Sequence, residues 1–159
     1  GLLPALEVSD MEIFSFQSEQ PAKISLTLTS APGFPKKTSI EGGYDLICTL
    51  VIEVGCYSVR CTEYFTATGA LYRFADQLKA CYETLNGKAD YSLIYEDDLR
   101  FTVTMKPGGH AVISGSFREN PAAENALTFE IPTDQSAFPA VIAGIEGLKE
   151  RYGDMQGVK

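Results

Sequence analysis

Few residues in this chain are able to do chemistry, and their spacing supports little of it. His110, the only histidine, follows Gly108-Gly109 at the start of an apolar-patterned stretch. A general base needs a nucleophile or an acid placed beside it, and no GxSxG-type motif accompanies this one. His110 therefore reads as a strand-end residue that bonds locally. Only a carboxylate brought to it by the fold would make it the anchor of a small hydrolase. Cys48, Cys56, Cys61 and Cys81 include no CxxC pair, and a single histidine does not complete a zinc set from them. Each lies in an apolar-patterned segment, where a small buried hydrophobe is the commoner role; two disulfides are the alternative for an exported chain. Gly42-Gly43 and Gly108-Gly109 lack the Lys-Ser/Thr that a phosphate cradle requires. No pair of carboxylates is singled out for glycosidase-type chemistry. No catalytic or metal-binding residue and no cofactor is assigned on these grounds.

The acidic triplet Glu96-Asp97-Asp98 stands out as a cluster. Calcium needs several oxygen ligands on a turning, glycine-enabled loop, whereas neighbouring side chains on extended backbone point apart. The triplet reads as a solvated turn. Tyr91 and Tyr95 flank Leu93 beside it. Tyrosine offers a large contact area with a polar tip, so Tyr91, Tyr95, Glu96, Asp97 and Asp98 form a candidate surface for a basic protein. The same tyrosines equally suit a core with their hydroxyls at its rim.

Charge narrows the partner. Thirteen basic and twenty-one acidic residues leave a net charge of −8. Residues 1–98 hold 14 acids and 7 bases, and residues 99–159 hold 7 and 6. Such a chain repels phosphate, which excludes nucleic acid as a partner. The charge keeps a protein soluble, and it also steers a basic partner toward it. Apolar residues make up 45%, enough for a folded core, and no apolar run approaches the ~20 residues that span a bilayer. The length of 159 residues suits one domain over 1–159. Gly1 to Leu6 lacks a basic n-region and is interrupted by Pro4, so a cytoplasmic location is expected.

Elements that would position these residues follow from periodicity. Segments 11–17 and 22–29 alternate apolar and polar residues, with Ile13, Ile24, Leu26 and Leu28 on one face, and Gln20-Pro21 separates them. Residues 30–43 hold two Pro, three Gly and Lys36-Lys37, the composition of a surface loop. Leu46–Val54 reads as a buried strand turned at Gly55. Tyr57–Phe65 follows, with Tyr57, Val59, Cys61 and Phe65 on one side. The period then changes, and Leu71, Phe74, Ala75, Leu78, Tyr82 and Leu85 make one helical stripe over 68–86. Thr68 is its expected N-cap and Asn86-Gly87 its left-handed end. Four further strands are expected at 90–95, 99–106, 109–118 and 125–131. A last helix spans about 136–152, with Ser136 as N-cap, Pro139 in its first turn and Gly153 as its stop. The order ββββαββββα, about eight strands with two amphipathic helices, indicates an α+β fold with mainly antiparallel sheet. No residue-level repeat links the two halves.

Within this framework, Leu71-Tyr72-Arg73-Phe74-Ala75-Asp76-Gln77-Leu78 and Tyr82-Glu83-Thr84-Leu85-Asn86-Gly87-Lys88-Ala89 resemble the helix of WapI-like immunity proteins. Glu96, the strand LRFTVTM, Gly109-His110 with Val112 and Ser114-Gly115, then Asn125 to Phe129 and Thr133-Asp134-Gln135-Ser136 follow in the same order. The likeness covers about residues 44–152, and residues 1–43 match less clearly. It implies a small bacterial cytosolic protein that binds and neutralises a cognate secreted toxin domain, often a nuclease and hence basic. The matched residues are packing and capping positions, so the resemblance assigns no contact residue. A non-enzymatic binding protein is the expectation. A His110 hydrolase and an accessory or structural domain are the alternatives, and the oligomeric state stays open.

Overall fold

The computed structural model describes residues 10–18 and 21–158; the readings made for Gly1 to Leu6 and for Gln20 lie outside them. β1 (Met11–Gln17), β2 (Ala22–Ser30), β3 (Asp45–Val54) and β4 (Tyr57–Ala67) form one antiparallel sheet in chain order. After α1 (Thr68–Thr84), β5 (Lys88–Tyr91), β6 (Leu99–Met105), β7 (His110–Phe117) and β8 (Leu127–Asp134) form a second. The chain closes with α2 (Phe138–Glu146) and the four-residue α3 (Lys149–Tyr152). This is the expected α+β order.

Alternation makes the strands, and burial of one face sets their register. Ile24, Leu26 and Leu28 of β2 lie opposite Ile52, Leu50 and Cys48 of β3, and all six are buried. Aromatic rings then carry the core from element to element. Phe16 of β1 packs edge-on against Phe74 of α1 and Phe138 of α2. Phe74 meets Phe101 of β6 and Tyr91 of β5, while Tyr64 of β4 meets Phe117 of β7. Both sheets and the helices thus bury their apolar faces in one cluster.

β4 departs from its expected pattern. Its pairing with β3 passes from Tyr64↔Cys48 to Cys61↔Leu50, so β4 spends one residue more than β3 over this stretch. This bulge reverses the alternation. Cys61 is half-buried before it, but Tyr64 and Thr66 point inward after it and Phe65 is turned out to solvent. Phe65 is therefore on the opposite side from Val59 and Cys61.

The helices correct five further details. Thr68 is the first helical residue of α1 instead of its cap, and its hydroxyl accepts from the Tyr44 N–H at 2.9 Å. The left-handed residue that ends α1 is Leu85, not Asn86 or Gly87. The buried stripe ends at Cys81, leaving Tyr82 and Leu85 exposed. At the other end, the Asp134 carboxylate accepts from the Ser136 N–H at 2.8 Å, so Asp134 caps the turn leading into α2. Phe138, Val141, Ile142, Ile145, Leu148 and Tyr152 are all buried as expected, although the helix is interrupted at Gly147.

Candidate functional site

Residues 31–44 run from β2 to β3 as a loop, and its end is fixed instead of loose. Gly69 opens α1 so close to this loop that an added Cβ would stand 2.3 Å from the Glu41 carbonyl oxygen. Only glycine fits there, and the contact seats Glu41 at the start of α1. Glu41 is buried and polar, which requires partners. Arg73 donates to its carbonyl oxygen at 2.7 Å and to Oε1 at 2.8 Å. The N–H groups of Ile94 and Tyr95 donate to Oε2 at 2.8 and 3.2 Å. One carboxylate thus ties together the 31–44 loop, α1 and residues 92–98.

β5 is shorter than expected. The 90–95 segment leaves the sheet after Tyr91, and the Ile94 and Tyr95 N–H groups bond Glu41 instead of a neighbouring strand. Ile94 and Tyr95 are consequently held outward, 63% and 66% exposed. Ile40 (77%) and Phe65 (54%) are likewise exposed. Ile40, Phe65 and Tyr95 line one cleft of about 240 Å³ with Asp45, Glu96 and Leu93. Three large exposed apolar side chains around one cleft, Ile40 and Tyr95 on segments tied through Glu41 and Phe65 on β4, are what a protein-binding surface requires.

The five sequence candidates separate. Tyr91 is inside: its hydroxyl bonds Tyr64 Oη at 2.7 Å and Thr66 Oγ1 at 2.6 Å, and its ring stacks on Phe101. A surface role for Tyr91 is withdrawn, since the short β5 carries it into the core. Burial raises both the Tyr91 and Tyr64 hydroxyls well above the ordinary tyrosine range, so the trio is neutral. Tyr95 and Glu96 join the apolar cleft. Asp97 pairs with Arg100, which accounts for its charge locally. Asp98 is half-buried and accepts from the Leu99 N–H at 2.9 Å. Burial, then the charges of Glu96 and Asp97, raise its carboxyl above the usual range despite that bond.

Asp98 belongs to a second cleft, of about 370 Å³, lined by residues 60–65 of β4 together with Phe117 and Glu119. Phe65 borders both clefts. Sequence reasoning missed Glu41, Ile40 and Phe65. An apolar Ile40 in a polar loop was a readable signal; the bulge that exposes Phe65 was not.

His110 lies exposed at the start of β7, opposite Asp134. Both line a shallow cleft of about 430 Å³ with Ser136. A serine nucleophile needs its proton taken by the histidine. Here the Ser136 hydroxyl and N–H both donate to Asp134, so the carboxylate serves as a helix cap. Cys56 is exposed at the hairpin turn, contrary to expectation, because Gly55-Cys56 falls between two strands instead of within one. Cys48 and Cys81 are buried and Cys61 is half-buried. Burial pushes the Cys48 thiol up to about 12, far from nucleophilic. All four thiols are free. Among the described residues no group of three His, Cys, Asp or Glu converges to hold a metal ion, and no helix is long and apolar enough to cross a membrane.

No curated protein and no solved structure matches the chain. Comparison with protein families matches residues 15–153 to the immunity protein WapI-like family, a span that also takes in β2 and the loop carrying Ile40 and Glu41. The chain therefore belongs to the WapI-like immunity protein family and has an immunity-type function.

Proposed function

We propose that this protein neutralises a cognate toxin domain by binding it directly, without chemistry of its own, in the cytoplasm. The carrying observation is the apolar cleft that exposed Ile40, Phe65 and Tyr95 line together, with Ile94 exposed next to Tyr95 in the chain. Interfaces draw most of their affinity from a few aromatic and aliphatic anchors ringed by polar groups. Asp45 and Glu96 line the cleft between these anchors, and the net charge of −8 speeds encounter with a basic toxin domain. Buried or unpaired thiols suit a reducing compartment. A binding-only role also agrees with Ser136 and Asp134 being used in a helix cap.

The test is to mix the purified protein with toxin domains drawn from its neighbouring genes, then measure stoichiometry and residual toxin activity. A one-to-one complex with inactive toxin is expected. Turnover of the toxin, or no complex, would overturn the reading.

A further inference from the structure

Two four-stranded open sheets present four edge strands, and an edge offers unpaired N–H and C=O groups to any extended chain. Three of the four are blunted. β1 is covered by α2, where Gly144 approaches so closely that an added Cβ would lie 2.0 Å from the Ile13 carbonyl oxygen. β5 is four residues long, and the Gln77 side chain accepts from its Asp90 N–H at 3.0 Å. β8 carries Pro132, which has no N–H to offer. β4 is different: with 11 residues it is the longest strand among those described, it has no proline, and β3 pairs with one side only.

The cleft beside β4 shows where that edge is accessible. It is lined by six consecutive residues, Arg60 to Phe65. A strand face presents alternate residues, so a cleft touching every residue in turn runs along the edge. Its far wall is Asp98, Phe117 and Glu119. Glu63, Asp98 and Glu119 all act electrostatically on Cys61, and none of the three has an ion-pair partner among the described residues. The bulge in β4 interrupts this edge between Cys61 and Tyr64, where two β4 residues face one β3 residue, so a further strand has to accommodate the same irregularity.

We propose that a basic, extended segment of the toxin domain adds as a fifth strand to the edge of β4 along residues 60–65. Its main chain pairs with backbone groups on the side of β4 away from β3, displacing the contact between the Glu63 backbone and the Cys61 side chain, and its lysine or arginine side chains reach Glu63, Asp98 and Glu119. Charge favours this occupant over a second copy of the chain. Two β4 edges brought together would set these carboxylates against their counterparts, between molecules that each carry −8. The proposal rests on the toxin-binding reading and adds the mode of contact.

The experiment is residue-resolved amide hydrogen exchange on the intact chain, free and bound to a toxin domain drawn from its neighbouring genes. The outward-facing amides of residues 60–65 are expected to slow by roughly tenfold or more on binding, with the amides already bonded to β3 unchanged. The double variant Glu63→Gln, Glu119→Gln, at exposed positions, is expected to associate about tenfold more slowly at low salt. A one-to-one complex in which the outward β4 amides exchange as before would overturn strand addition while leaving toxin binding intact. A free chain that dimerises with those amides already protected would assign the edge to a second copy. No complex at all would remove the toxin-binding reading and this inference with it.

Discussion

Arg73 grips Glu41 twice, once at the backbone carbonyl (2.7 Å) and once at the carboxylate (2.8 Å), leaving the other carboxylate oxygen to hold Ile94 and Tyr95. The pair joins α1 to the two segments that carry Ile40 and Tyr95. Glu41→Ala removes the acceptor for two backbone donors and is expected to cost about 1–3 kcal/mol. Its clearer signature is local: the Ile94 and Tyr95 amides exchange faster, and toxin affinity falls although neither anchor is mutated. Equal exchange in variant and parent would show that the ion pair does not order these segments.

Tyr91 provides the opposite case, a residue that matters for folding and not for contact. Tyr91→Phe strips the Tyr64 and Thr66 hydroxyls of their shared partner inside the core. A loss of about 1–3 kcal/mol in denaturant unfolding is expected, with toxin affinity of the folded protein unchanged. A large affinity loss without a stability loss would return Tyr91 to the surface.

Asp98 sets stability against function. Its carboxyl titrates above the ordinary range in the folded chain because it is partly buried, so its ionised form opposes folding at neutral pH. That opposition is relieved as pH falls through the raised value. Asp98→Asn is accordingly expected to melt higher than the parent at pH 7, with the gain shrinking on acidification, and to bind the toxin domain more slowly. A lower melting temperature at pH 7 would contradict this.

Asp134 has the reverse sign. Its hydrogen bonds from Ser136 hold its carboxyl below the usual carboxylate range. The stability it contributes is present above the unfolded value, near 3.8, and is lost as pH falls through the lowered one. Asp134→Ala is expected to cost about 1 kcal/mol at pH 7, the typical loss of a helix cap, and to narrow the gap to the parent in strong acid. A gap that stays constant with pH would remove the cap from the account.

The fold was legible where alternation was clean. β2, β3, β6 and β7 fell where periodicity put them, since a one-residue slip would expose Leu26, Leu50 or Val103. Errors arose where a distant group competes for the backbone. The segment after Tyr91 has strand composition, but Glu41, more than fifty positions earlier, takes its donors. Thr68 has cap chemistry, but Tyr44 claims it. The site was half legible for the same reason: Tyr95 and Glu96 could be chosen from type and charge. Phe65 could not, because an inserted residue in β4 decides which way it faces.

If the cleft of Ile40, Phe65 and Tyr95 binds and silences a toxin domain, the loss of two of these side chains abolishes tight binding. The most direct measurement is the affinity of a toxin domain drawn from the neighbouring genes for the parent and for Phe65→Ser, Tyr95→Ser, with His110→Ala as a control. A tight one-to-one complex is expected for the parent and for His110→Ala. A weakening of about a hundredfold or more is expected for the double variant, whose side chains are exposed and whose fold is retained. Parent-like affinity in the double variant, or loss of neutralisation in His110→Ala alone, would contradict toxin binding by this cleft.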